Sequence, residues 1–340
     1  MQKRNRIMQD WPGYFGYLFR EDTPFPILRD YNSLYGYMID DLSDWKNIAN
    51  KSLAWWIRYK RKLAYRLTED IYKLSGIENN ETNINNDITV IIPTSAIPSH
   101  PDTSVLEETI STIRHWLTGC EIIITFDGVR DNLKHRLDDY REYIRRVVWK
   151  CNHEWKNVLP LVFDEHEHQA NMTRIALDYV KTPLILFVEH DTPIVVDWSI
   201  EWDGLCRSIL EGHANVIRLH HEALVLPEHE YLMLDNKPQD VCGVSMRKTR
   251  QWSQRPHLAS TAFYKDMLNR VFGDKAKTMI EDIVHGRLIE DSKDVMGWYY
   301  WRVWIYTPEG QIKRSYHIDG REDDPKYEAV LRRGLYQETE

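Results

Sequence analysis

Thr182-Pro183-Leu184-Ile185-Leu186-Phe187-Val188-Glu189-His190-Asp191-Thr192-Pro193 is the stretch on which the reading of this chain turns. Leu184 to Val188 are five apolar residues in a row, a strand's composition and length, buried on both faces. The strand runs straight into two carboxylates, Glu189 and Asp191, one residue apart. At strand pitch, residues i and i+2 point the same way, and two like charges on one face at the end of a buried strand repel. A divalent cation held by oxygen ligands removes that cost. Ligands of open α/β sheets also bind beyond the strand ends. Glu189-His190-Asp191 therefore reads as a metal clamp at a sheet edge. The plain alternative is an acidic turn where a strand meets solvent.

The chain has 340 residues, 42% hydrophobic and 28% charged, which are globular values. No apolar run is long enough to span a bilayer, and no apolar segment follows the basic start Met1-Gln2-Lys3-Arg4-Asn5-Arg6, so no secretory signal is expected. Cys120, Cys151, Cys206 and Cys242 are scattered, without zinc or disulfide spacing, and fit a reducing, cytoplasmic setting. A net charge of −8 argues against a protein that coats nucleic acid non-specifically, though not against a local basic groove.

Around the opening stretch the pattern alternates. Ile88 to Ile92 and Glu121 to Phe126 have strand patterns, Leu159 to Phe163 a shorter one. Val105–Leu117, Asp131–Lys150 and Asn171–Val180 read as helices. Strand and helix in turn predict a mostly parallel sheet with right-handed crossovers, flanked by helices. Later, Ala214–Leu219 reads as a strand, Met279–Ile289 as a helix, Trp298–Tyr306 as a strand or broken aromatic stretch, and Ile312–Ile318 as a further strand. Upstream, residues 1–42 are aromatic and broken by Gly and Pro, and 43–75 has helical spacing with a basic middle at Arg58, Lys60, Arg61 and Lys62. The polar run at 77–86 marks a boundary, giving an N-terminal extension (1–86) and a main domain (87–340) with halves at 87–197 and 198–340.

The order of signals from 87 to about 290 resembles the GT-A glycosyltransferases, the large family 2 type above all. The resemblance implies a Rossmann-like α/β fold. It implies that Pro93-Thr94-Ser95 cradles a nucleotide, that Asp127, before Gly128, contacts the nucleobase, and that Arg174 of Asn171-Met172-Thr173-Arg174 lies near the donor. Glu189-His190-Asp191 stands where that family has Asp-x-Asp, with Glu in place of the first Asp. Glu281-Asp282 stands where one carboxylate acts as base in inverting members, Asp282 being the first choice. A histidine late in the chain completes the metal shell in several GT-A families, and His317 is the candidate here. The segment Arg314–Arg321 resembles C-terminal segments of phage-encoded members.

The resemblance implies a metal-dependent transfer of a sugar from a nucleotide-sugar, UDP-type favoured, to a hydroxyl. Asp191, Glu189 and His317 would hold Mn2+ or Mg2+, and Arg314 or Arg321 would pair with the diphosphate, since guanidinium suits phosphate. Three acceptors stay open: a glycan, a protein, or a hydroxymethylated base in DNA. For DNA, the cations expected to meet phosphates are those at 58–62 and Arg141, Arg145 and Arg146. A non-catalytic GT-A-like binding module is the alternative of another class. A nucleotidylyltransferase is disfavoured, because Thr94-Ser95-Ala96-Ile97-Pro98 has neither glycine nor a basic residue. His166-Glu167-His168 and His220-His221-Glu222 lack zincin spacing.

Overall fold

The computed structural model describes residues 84–222, 225–273, 277–293, 295–308 and 313–318. The chain divides into two units, Met1–Thr82 and Asn83–Glu340, and the described residues belong to the second. The basic stretch at 58–62 and Arg321 lie outside them.

Nine strands form one sheet in the order β3-β2-β1-β4-β8-β5-β9-β7-β6, flanked by helices, the α/β architecture implied by the resemblance. The first half is parallel. β1 (Ile88–Thr94) lies between β2 (Glu121–Phe126) and β4 (Leu184–Phe187), and β3 (Val158–Val162) extends the edge beyond β2. Their connections carry α1 (Ser104–Trp116), α2 (Leu137–His153) and α3 (His168–Leu177). Ile88, Val90, Ile92, Ile122, Ile124, Phe126, Leu184, Leu186 and Val188 share one core with apolar residues of α1 and α2. The residues between them face the other way, as strand alternation requires, so Phe187 stacks on Tyr264 rather than on α1.

The second half mixes directions. α4 (Trp202–Leu210) leads to β5 (Val216–Leu219), followed by the β6 (Gln239–Val241) and β7 (Val244–Lys248) hairpin. β8 (His257–Ser260) inserts antiparallel between β4 and β5, and runs into α5 (Thr261–Val271). The Ser260 hydroxyl caps that helix by accepting from the Phe263 amide at 3.3 Å. α6 (Ile280–Asp291) and α7 (Val295–Trp301) precede β9 (Val303–Tyr306), which pairs parallel with β5 and antiparallel with β7.

Two expectations change. The aromatic stretch at 298–306 is the end of a helix and then a strand, divided at Arg302, whose φ of +43° breaks the run. The strand expected at 312–318 is, among the described residues, a single bridge from Ser315 to Ile194. Its backbone bonds go to the loop after β4 and, from Arg314 N, to His220 O at 2.8 Å just past β5. No helix of the described residues is long and apolar enough to cross a membrane.

Candidate active site

The site begins where β4 stops. Val188 still bonds to Ile91 of β1, but Thr192 N donates to Glu189 O at 3.1 Å, so Glu189-His190-Asp191 lies in a turn instead of continuing the strand. That turn is held from two sides. From α1, Thr109 Oγ1 donates to His190 O at 2.7 Å, Thr112 Oγ1 accepts from Ile194 N at 3.1 Å, and Trp116 Nε1 donates to Val195 O at 3.1 Å. From the C-terminal segment, Val195 N donates to Arg314 O, Tyr316 N to Pro193 O and Ile318 N to Asp191 O, at 3.0, 3.1 and 2.7 Å. A loop fixed this way keeps its carboxylates in place without reorganisation.

The same segment brings His317 in. Its Nε2 lies 3.3 Å from Asp191 Oδ2, while Asp191 Oδ1 is buried without a hydrogen-bond partner among the described residues. Burial would raise the Asp191 carboxyl, but His190 and then His317 outweigh it and hold it below the ordinary carboxylate range. Glu189 behaves in the opposite way. Burial first, then the charge of Asp191, push it up to about 8. Two unit charges about 4 Å apart interact by about 4 kcal/mol at an effective dielectric of about 20, enough to decide which form a carboxyl takes. Without a cation, Asp191 is ionised and Glu189 keeps its proton at neutral pH. An ionised carboxylate with a free buried oxygen, a second carboxyl and an imidazole form a donor set suited to Mn2+ or Mg2+.

Around Glu189 stands a polar ring supplied by α3, α6 and the segment before β8. Gln169 Nε2 donates to Glu189 Oε1 at 2.8 Å, and its Oε1 accepts from Ile280 N at 3.1 Å. Glu281 Oε2 accepts from Gln254 N at 3.1 Å. Glu281 and Asp282 sit in the first turn of α6, where the helix dipole favours them. Glu281 is half-buried and engaged with Gln254, whereas Asp282 is exposed and close enough to His168 to act on its charge.

The residues that the resemblance assigns to the nucleotide lie at the ends of β1 and β2. Pro93 and Thr94 close β1, with Thr94 Oγ1 donating to Thr125 O at 3.0 Å, and Ser95 follows them, exposed. Asp127 is 4% exposed, and its carboxylate is occupied. It accepts from Glu167 N at 2.7 Å and from His168 N at 3.2 Å, and His166 Nδ1 lies 2.8 Å from it. It thereby caps the start of α3 and ties the 165–168 loop to β2. Gly128 makes the approach possible: a Cβ there would stand 2.2 Å from the Glu165 carbonyl carbon.

The remaining cations named from sequence go elsewhere. Arg174 donates to Gly273 O at 3.4 Å and to Asn171 Oδ1, linking α3 to the end of α5. Arg314 is 3% exposed, stacks 5.4 Å from the Tyr306 ring centre and faces the charge of Glu201. Gln169, Gln254 and Arg255 join the site without having been named from the sequence; their only early signal is polarity at the start of a helix or strand. Sequence spacing gave no zinc pattern, yet the fold gathers Glu211, His213 and Cys242 at the surface within 4.8 Å, where Arg207 already takes Glu211 at 3.2 Å.

No family model and no curated protein matches the sequence. Solved structures with a similar fold include S. aureus TarS 1-349, 15% identical with a TM-score of 0.40, over 68% of this chain and 60% of that one. Another is the mannosyltransferase PcManGT of Pyrobaculum calidifontis in complex with GDP-Man and Mn2+, at 14%, 0.40, 66% and 55%. A third is GalNAc-T7 with UDP, GalNAc and Mn2+, at 11%, 0.39, 70% and 44%. The chain spans less than two thirds of each. Likeness at this level does not reach function, which rests on the geometry of the site.

Proposed function

We propose that this chain is a divalent-cation-dependent glycosyltransferase, moving a sugar from a nucleotide-sugar donor, UDP-type favoured, to a hydroxyl acceptor. One observation carries the reading. Asp191 is ionised and half-buried, its Oδ1 buried without a partner among the described residues, with Glu189 beside it and His317 at 3.3 Å, at the C-terminal edge of a parallel α/β half-sheet. The orphaned carboxylate oxygen is what a Mn2+ or Mg2+ ion would satisfy, and Asp191, Glu189 and His317 are the residues that would hold it. When bound, such a cation neutralises charge gathering on a leaving diphosphate.

The chain's own residues do the rest. Thr94, Ser95 and the loop organised by Asp127 form the nucleotide side of the edge. The acceptor hydroxyl gives its proton to a carboxylate at the start of α6. Asp282 suits that role better than Glu281, because Glu281 is held by the Gln254 amide and Asp282 is exposed toward His168. Transfer by a base on the face opposite the leaving group inverts the sugar. Of the three acceptors, a hydroxymethylated DNA base rests on the phage-like segment 314–321. α2 adds little to it, since Arg145 and Arg146 both pair with Glu142, and Arg141 lies 3.9 Å from Asp138.

The test is to incubate the chain with UDP- and GDP-sugars plus Mn2+, with hydroxymethylated DNA and glycans as acceptors. Released nucleoside diphosphate and labelled product are then measured. Release that requires Mn2+ supports the reading, and no release from any donor refutes it.

A further inference from the structure

The β4–β8 register ends at Phe187 opposite His257, and the β5–β8 register ends at Arg218 opposite His257. Phe187 and His257 stack at 5.0 Å, so they share a face. Beyond this row β4 gives way to the turn at Glu189, and the segment before β8 reaches it through Gln254, the neighbour of Arg255, which contacts Gln169, the donor to Glu189 Oε1 at 2.8 Å. Leu219 N donates to Pro256 O at 2.8 Å, which keeps the strands together at that row. Arg255 is thus a cation beside the proposed metal ligands, and Glu189, Asp191, Glu281 and Glu222 all act on its charge.

Yet Arg255 forms no ion pair within 4 Å among the described residues, and its Nη1 is buried with no partner there. A buried N–H left unpaired is destabilising, so its survival in a polar site points to a ligand. Once Asp191 serves a cation, its charge no longer serves Arg255. An anion entering between the two would satisfy both. Of the other arginines of this region, Arg314 lies on Tyr306, and Arg218 gives Nη1 to Gln251; the Nε and Nη2 of Arg218 are also buried without a partner among the described residues, but at 1% exposure that side chain is closed to an entering ligand.

We propose that Arg255 grips the donor's diphosphate from the side opposite the metal ligands, a specific role that deepens the glycosyltransferase reading and rests on it. The fork of the guanidinium matches two phosphate oxygens, which a lysine cannot do. Arg255 then discriminates a nucleoside diphosphate from the bare nucleoside, and it receives charge as the sugar–oxygen bond breaks and both bonding electrons go to the diphosphate oxygen.

The experiment is calorimetry with uridine, UMP and UDP, and the guanosine set, in Mn2+, on the full chain and on Arg255→Gln and Arg255→Lys. Mn2+ affinity is read separately by electron paramagnetic resonance. Losing a charged hydrogen-bonding partner should weaken diphosphate binding roughly 10- to 100-fold in Arg255→Gln. Nucleoside binding should be unchanged, and Mn2+ binding unchanged or tighter, because a neighbouring positive charge has gone. Arg255→Lys should fall between, and it decides the matter if the Gln variant does not fold. Diphosphate affinity equal to wild type overturns the inference, as does a parallel loss of Mn2+ and diphosphate, which would make Arg255 a structural prop. If the wild type binds Mn2+ but neither diphosphate, the glycosyltransferase reading itself fails.

Discussion

The two halves of the sheet make the site in different ways. In the parallel half, β3-β2-β1-β4, each strand is joined to the next by a helix, and the candidate residues hang from strand ends: Thr94, Asp127, Glu189 and Asp191. In the other half, β8 runs backwards between β4 and β5, and residues reach the site through antiparallel register and a returning C-terminal segment: Gln254, Arg255 and His317. The parallel half places carboxylates, and the mixed half supplies what tunes and neutralises them. Asp191 and Glu189, two residues apart, shift in opposite directions: burial raises both, but His190 and His317 outweigh it at Asp191, whereas the charge of Asp191 adds to it at Glu189.

The largest effect should come from the parallel half. Asp191→Asn removes the ionised carboxylate, and sugar release should fall to background at any Mn2+ concentration in a donor-hydrolysis assay. Retained release would place the cation elsewhere. Next comes α6, in the mixed half: Asp282→Asn should keep donor binding by calorimetry and lose roughly 10²–10⁴-fold in transfer. If Glu281→Gln loses transfer and Asp282→Asn does not, their roles are exchanged.

Asp127→Ala tests whether a residue of the parallel half can be both scaffold and donor contact. Its carboxylate satisfies two amides at the start of α3, so its loss should cost about 1–3 kcal/mol by denaturant melting. Donor KM should rise more than kcat falls, because the loop it holds borders the nucleotide side equally in ground and transition states. An unchanged melting curve would remove the scaffold role.

A smaller effect concerns pH. Folded Glu189 keeps its proton up to about pH 8, whereas unfolded it would lose it near its ordinary value of 4.5. The folded chain therefore holds the extra proton across that window, and its stability falls as pH rises through it. His100, His220, His221 and His257, lowered by loss of solvent to between about 3 and about 4, act with the opposite sign below 6.5. Between 6.5 and 8, Glu189 is clear of them. In EDTA, the wild-type Tm should drop from pH 6.5 to 8.5, the drop should shrink in Glu189→Gln, and Mn2+ should bind more tightly as pH rises to about 8. The smallest effect is expected at Arg145 and Arg146, already paired with Glu142: reversing both should leave donor hydrolysis unchanged, and a change in it would tie α2 to the donor site.

Legibility in the sequence follows the same division. Runs such as Ile88–Ile92 and Leu184–Val188 are buried on both faces, so composition alone marks them, and motifs at their ends fall into place once the sheet is parallel. His317 came from resemblance, and the structure sets it beside Asp191 through backbone bonds that no periodicity announces. β8 went unread because His257-Leu258-Ala259-Ser260 is short and flanked by polar residues. With β8 unread, nothing brought Arg255, just before it, to the end of β4. Arg314 looked like a phosphate ligand by type, but its guanidinium lies on the Tyr306 ring.

The most direct test of a site assembled from both halves is Mn2+ titration of the wild type, Asp191→Asn and His317→Ala, read by electron paramagnetic resonance. The wild type should bind one ion. Asp191→Asn should bind none at that site, and His317→Ala should bind roughly 10- to 100-fold more weakly, as expected when a partner of a ligating carboxylate is lost. Equal Mn2+ binding by all three proteins would contradict the account.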